Sequence, residues 1–185
     1  MASETSICNL ALQRLGAQPI VSLTQNAQNA KECARAYDHI RDAEICKYRW
    51  NFAIKRVVLA PDSDAPGFDY DYQFTLPTDC IRPLPSNKDT DWLSEGRKIL
   101  TNAGNTLYLR YLARITDTNL FNPQFNIVLS LAIAKQLNGK VTQSNVKQAD
   151  LNQEYKDEVS IARAVNAIET ISDEPAPDSW ETSRL

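Results

Sequence analysis

The sequence predicts an α+β fold, mainly α: a four-helix bundle with a small antiparallel β-sheet or sandwich inserted between helices 2 and 3, and an extended C-terminal tail. Three observations predict it. Apolar residues recur at helical spacing in four stretches, two early and two late in the 185 residues. Between them the period shortens toward two, and five of the nine prolines and three of the five glycines fall there. Beyond Ser172 no period survives, and Pro175 and Pro177 lie in an acidic stretch. The expected organisation is therefore 1–49 plus 122–172 as a helical bundle, 50–121 as an inserted β domain, and 173–185 as the tail.

The first helix is expected over Glu4 to Leu15. Ser3 is placed to cap its free N–H groups, and Gly16 to end it in a left-handed turn. Ile7, Cys8, Leu10, Ala11 and Leu15 form its apolar stripe. Pro19 prevents continuation, so Ala17 to Leu23 reads as a loop whose aliphatics tuck onto the core. The second helix runs from about Ala27 to Tyr48, with Ala30, Cys33, Ala34, Tyr37, Ile40 and Arg41 on one face.

Ala53 to Leu59 and Tyr70 to Leu76 read as strands, the second alternating Tyr70, Tyr72, Phe74 and Leu76 with polar residues. Leu76-Pro77-Thr78-Asp79 turns the chain. Two hairpins are expected, one at Glu95-Gly96 and one at Asn102-Ala103-Gly104-Asn105, the latter joining Lys98 to Leu100 with Leu107 to Leu112. Asn122-Pro123 restarts helix, with Asn as cap and Pro in the first turn. Gln124 to Leu137 is apolar nearly all round, so that helix is covered on several sides, and Gly139 closes it. The last helix spans about Ser144 to Thr170, with Val146, Leu151, Tyr155, Val159, Ala162, Val165 and Ile168 or Glu169 facing inward.

Composition bounds the function. At 43% apolar and 23% charged the chain matches an ordinary globular protein. A net charge of −3 argues against a dedicated polyanion binder. No apolar run approaches the ~20 residues that span a bilayer; the longest, Ile127 to Ala134, is interrupted by Ser130. Met-Ala-Ser-Glu-Thr-Ser has no basic stretch before an apolar one, so no secretion leader is expected. Cys8, Cys33, Cys46 and Cys80 include no Cys-x-x-Cys and read as structural thiols, without a metal.

Enzyme signatures are sparse. His-Glu-x-x-His, Gly-x-Ser-x-Gly and glycine-rich phosphate loops are absent, and the single histidine, His39, reads as a solvated helical residue. Asp62-Ser63-Asp64-Ala65-Pro66-Gly67 begins like a calcium loop. It lacks the side-chain oxygen at position five, where Pro66 stands, and the glutamate at position twelve, where Gln73 stands. Glu44, Glu95, Asp79 and Asp91 are available as paired carboxylates for glycoside hydrolysis, and nothing singles them out. No catalytic, cofactor-binding or metal residues are therefore assigned, and no cofactor is expected.

Charge is segregated along the chain: residues 31–60 and 97–123 each carry +3, 61–96 carry −6, and 173–185 carry −3. Such blocks read first as an ordinary solvated surface, and they also suit subunits that meet by complementary patches. Lys47-Tyr48-Arg49-Trp50 alone interleaves cations with aromatics in the manner of a nucleic-acid reader, and Trp50 is expected instead to anchor the helix-to-sheet junction. Trp180, in the acidic tail with Pro175, Pro177 and Asp178, is the candidate partner-binding residue. It either docks in a partner's pocket or folds back on its own domain.

Leu10-x-x-x-x-Leu15-Gly16-x-x-Pro19-Ile20, Trp50-Asn51-Phe52-Ala53, Leu59-Ala60-Pro61 and Tyr72-x-Phe74-x-Leu76-Pro77-x-Asp79-Cys80-Ile81-Arg82 follow one another along the chain. Trp92-x-x-x-Gly96, Tyr111 and Pro123-x-Phe125 continue the series. Over about residues 5 to 170 this order and spacing resembles the tail tubular protein A family of short-tailed bacteriophages. The resemblance implies a head-to-tail adaptor of the virion, assembled in the bacterial host cytoplasm. It implies a dodecameric ring joining the portal to the tail nozzle, a tail tubular protein B-like component. That ring continues the channel through which DNA passes without sequence-specific binding, for genome retention and ejection. It implies a structural protein and not an enzyme, with no membrane partner. The alternative is a peptidoglycan-degrading activity, which has been suggested for some members and for which the chain carries no motif. The tail after Ser172 matches no part of the pattern.

Overall fold

The structure, a computed structural model, describes residues 2–85, 91–141 and 145–169. Helix α1 covers Glu4–Arg14, and its start follows from chemistry at Ser3. The Ser3 hydroxyl accepts from the Ser6 N–H at 3.1 Å, and the Ser6 hydroxyl accepts from the Ser3 N–H at 2.8 Å. Gly16 ends the turn at φ +68°, a conformation costly for any residue bearing a Cβ. The following loop is pinned through Asn9, whose side chain bonds both the N–H and the carbonyl of Ile20. Helix α2 covers Gln28–Lys47.

Helix α3, Pro123–Val141, begins under an Asn122 cap that accepts from the Gln124 N–H at 3.0 Å. Gly139 does not close it; the helix continues two residues further. It packs against α1, against α2 and against α4, Asn145–Ile168. Seven of its side chains from Phe125 to Leu137 are buried apolar groups, and this coverage explains why its sequence shows no polar face. Ser130, inside that run, is fully buried and satisfied: it donates to the Ile127 carbonyl and accepts from Arg14 Nη1, while Arg14 Nε reaches Glu154 on α4.

Six strands lie between α2 and α3: β1 (Ile54–Leu59), β2 (Tyr72–Thr75), β3 (Cys80–Leu84), β4 (Leu93–Glu95), β5 (Lys98–Thr101) and β6 (Leu107–Ala113). The expected architecture, a four-helix bundle carrying one inserted sheet or sandwich, is corrected here. Four α-helices are present among the described residues, which are about 50% helical and 18% strand, but the strands form two separate three-stranded antiparallel sheets. One runs β1-β6-β3 and the other β2-β5-β4, so the chain passes back and forth between them. The helices gather about α3 instead of forming four equivalent walls.

The expected hairpin at Asn102–Asn105 does not form, for a definite reason. β5 is already paired on both edges, by β2 and β4, and β6 is paired on both edges by β1 and β3. Neither has an edge left for the other, and the segment between them is a crossover. The hairpin at Gly96, with φ +57°, does form and joins β4 to β5. Strand β3 escaped prediction because Pro83 lies inside it; at the edge of its sheet it loses no ladder bond on its outer side.

One hydrophobic cluster runs through helices and both sheets, with Trp50, Tyr37, Phe74, Phe125 and Leu112 among its largest buried side chains. Several inward assignments are corrected. Leu12 is buried and Leu10 is partly exposed; Ala34 faces solvent; and Val146 and Ile168, at the two ends of α4, are 74% and 84% exposed. The tail, including Trp180, Pro175, Pro177 and Asp178, lies outside the described residues.

Candidate functional site

Helix α2 stops where Tyr48 turns to an extended backbone, φ −130° and ψ 164°. The next residues form the corner between helices and sheet. Trp50 is 1% exposed, and its indole N–H donates to the Glu44 carbonyl at 3.0 Å. Its ring meets Phe125 edge to face with centroids 5.2 Å apart and stacks near Phe52 at 6.2 Å. Burial of Trp50 leaves Lys47, Tyr48 and Arg49 as the surface of this corner. Helix α4 is tied against it, since Asn166 Nδ2 donates to the Arg49 carbonyl at 2.9 Å and Arg163 lies over the Tyr48 ring at 5.0 Å.

Between these elements opens a recess of about 320 Å³, lined by Lys47, Tyr48, Arg49, Arg82, Arg163 and Asn166 beside Trp50. Four of its lining groups are cations and none is a carboxylate. Arg82 Nε is buried and has no hydrogen-bond partner among the described residues. A buried donor without an acceptor costs free energy unless a ligand or partner supplies one.

The basic character continues across the sheet. Arg56 on β1 stands directly opposite Arg110 on β6, and Arg82 on β3 stands opposite Leu112, two residues along β6 from Arg110. Residues two apart on a strand share a face, so Arg56, Arg110 and Arg82 line one side of β1-β6-β3. Like charges directly opposite in a sheet destabilise it. Arg110 Nη2 donates to the Pro85 carbonyl at 2.7 Å, yet its Nε is buried without a partner among the described residues. Among the described residues, Arg49, Arg56, Arg82, Arg110 and Arg163 make no ion pair. Planar guanidinium groups massed in this way suit recognition of carboxylate or phosphate oxygens.

A second groove, about 470 Å³, lies between α2, α3 and α4 and is lined by His39, Glu44, Lys47, Lys135, Gln136 and Gln148. Glu44 and Lys47 satisfy one another. Glu44, 3% exposed, receives Lys47 Nζ on one oxygen and the Tyr155 hydroxyl on the other at 2.8 Å, and Lys47 also donates to that hydroxyl at 3.0 Å. Burial works against the Lys47 ammonium, but its bonds to Glu44 and Tyr155 prevail and raise it above the ordinary lysine value. Burial is the main cause that pushes the Tyr155 phenol up to about 12. Lys135 stands 4.0 Å from the centre of the Tyr155 ring and is held down, first by burial and then by Lys47. This groove is a structural clasp between helices.

The carboxylates available for hydrolysis are held in separate places. Glu44 is in that clasp. Asp79 accepts from Lys55 at 2.8 Å and from the Tyr111 hydroxyl at 3.1 Å. Glu95 is exposed at the end of β4, and Asp91 is exposed before it. His39 is exposed on α2. Asp62, in the calcium-like stretch, instead holds Thr75 and Lys98 across β2 and β5. Among the described residues no group of three or more His, Cys, Asp or Glu could hold a metal ion, and no helix is long and apolar enough to cross a membrane.

Sequence reasoning singled out Lys47 to Trp50 and the basic stretch that runs on to Arg56, but it did not group Arg56 with Arg82 and Arg110. Their sequence separation carries no signal; only the pairing register aligns them. No family model matches the chain, and no curated protein matches it.

Proposed function

We propose that this chain is a structural head-to-tail adaptor of a short-tailed bacteriophage virion, one subunit of a dodecameric ring between portal and tail nozzle that continues the DNA channel. The observation that carries the reading is where its motif residues meet. Trp50-Asn51-Phe52-Ala53 and Pro123-x-Phe125 are far apart in sequence, yet Trp50, Phe52 and Phe125 form one aromatic contact group with Phe121. Tyr111 and Asp79, from two further motif pieces, are hydrogen-bonded. A ring subunit needs a rigid wall and two unlike flanks that fit head to tail. Helices packed on a central α3 supply stiffness, and the unpaired basic face supplies one flank.

The test is assembly. The purified chain mixed with the cognate portal and imaged by electron microscopy is expected to give a second ring stacked on the portal. Repeated failure to see it, with both components folded, overturns the proposal.

A further inference from the structure

The basic face has a counterpart elsewhere on the same molecule. Where β2 begins and β5 ends, Asn102 bonds the Asp71 N–H at 2.7 Å and the Asp69 carbonyl at 3.2 Å, and Thr101 donates to the Asp91 carbonyl at 2.6 Å. These bonds gather Asp69, Asp71 and Asp91 at one corner, all three exposed and none in an ion pair among the described residues. Phe68, 81% exposed, stands beside them. The corner is thus an acidic knob with an aromatic tip.

Arginine face and acidic knob belong to different sheets, and no ion pair joins them within the subunit among the described residues. Each bears what the other lacks. The face offers five arginines without an ion pair among the described residues, two with buried Nε donors, beside the half-buried Tyr48 corner and Val58, which is 59% exposed. The knob offers carboxylates around Phe68. Opposite patches that no ion pair joins within the subunit among the described residues suit a heterologous contact between copies.

We infer that the arginine face of Arg56, Arg82 and Arg110 receives the Phe68–Asp71–Asp91 knob of a second copy of this chain. The inference rests on the ring reading and names the contact through which neighbouring subunits would join. Its cost to the isolated subunit is visible in the opposed Arg56 and Arg110, a repulsion that an incoming carboxylate relieves.

Sedimentation equilibrium of the full chain at low salt, up to about 1 mM, tests it. Association that weakens steeply with salt is expected. The pair Arg56→Glu and Arg110→Glu is expected to weaken it at least ~10-fold, and so is the pair Asp71→Lys and Asp91→Lys. Asp69 is left alone because its φ of +67° is a strained setting for lysine. An equimolar mixture of the two variants is expected to associate again, since reversed faces match across the mixture. This rescue separates a lost contact from a lost fold.

A chain that stays monomeric throughout overturns the inference, and so does a mixture that fails to associate while circular dichroism shows both variants folded. Self-association untouched by the arginine changes, with binding to duplex DNA abolished by them, would assign the face to nucleic acid and overturn it equally. Rings stacked on the portal by the arginine variant would leave the adaptor proposal standing and sink this contact alone. Charge-swapped association without any portal stacking would do the reverse.

Discussion

Asn51 and Asn166 stand 115 residues apart and are joined by two hydrogen bonds, from the Asn51 N–H to Asn166 Oδ1 at 2.8 Å and from Asn51 Nδ2 to the Asn166 carbonyl at 2.7 Å. With the bond from Asn166 to the Arg49 carbonyl, they fasten the end of α4 over the corner that Trp50 fills. Asn166→Ala removes one acceptor and one donor from this clasp. It is expected to cost about 1–3 kcal/mol, with faster hydrogen exchange confined to the last turns of α4. Asn166→Asp keeps the acceptor and should fall between wild type and alanine. Chemical denaturation and amide exchange check both.

Trp50 is the largest side chain at that corner and touches Tyr48, Phe52 and Phe125. Trp50→Ala is expected to destabilise by ~3–5 kcal/mol, because the rings around the cavity are held by separate elements and cannot all collapse into it. A loss under ~1 kcal/mol in urea denaturation would contradict the packing described here.

How much of this was legible beforehand depended on the range of the forces involved. The Ser3 cap, the left-handed Gly16 and the Asn122-Pro123 start are written in neighbouring residues, so the sequence alone predicts them. The Gly96 hairpin is equally local. The sheets are another matter: Lys98–Thr101 and Leu107–Ala113 are both good strands, and pairing them across Gly104 satisfies every local rule. What forbids it is that both are central strands, a fact decided by partners as remote as Ile54 and Tyr72. Predicted α4 contacts failed at its ends for a similar reason. Val146 and Ile168 continue the apolar period, but α3 does not cover them. The arginine face was hidden twice, because Pro83 disguised its third strand and because register cannot be read from composition.

Trp180 lies outside the described residues, and its docking in a partner's pocket is a proposal to be tested against its folding back on its own domain. Trp180→Ala, or removal of residues 173–185, is expected to leave thermal stability unchanged while weakening portal docking. Melting curves and co-sedimentation with portal measure the two effects separately. Lost stability with intact docking would assign the tryptophan to its own domain.

Asp79 gives the sheet β1-β6-β3 a dependence on acid. The hydrogen bond from Lys55 is the main cause that holds its carboxyl below the ordinary value, with the Tyr111 hydroxyl acting in the same direction against burial. A carboxyl lowered on folding stabilises fully above its unfolded value of about 3.9, and that contribution fades as pH falls through the folded value. Asp79→Asn is expected to cost about 1 kcal/mol at neutral pH, a modest figure because Lys55 is half-exposed and water screens the pair. The variant's stability should also fall less between pH ~5 and acid denaturation than wild type's, as followed by circular dichroism.

The clasp of Glu44, Lys47 and Tyr155 predicts the opposite, alkaline, dependence. Tyr155 is raised to about 12 and Lys47 is raised as well, so the folded chain holds both protons more tightly than the unfolded chain. Groups raised on folding stabilise below their unfolded values, about 10 for each, and that stabilisation is lost as pH climbs through the folded values. Tyr155→Phe has two separable effects. Below pH ~10 it is expected to cost about 1–3 kcal/mol, because Glu44 is buried and loses one of its two donors. Between pH ~10 and ~12 its stability should decline less steeply than wild type's, because one proton-linked group has gone. Urea midpoints across that range test the slope, and phenolate absorbance should show one late-titrating tyrosine missing. A phenol at position 155 that ionises with the exposed tyrosines would show that the clasp is open in solution.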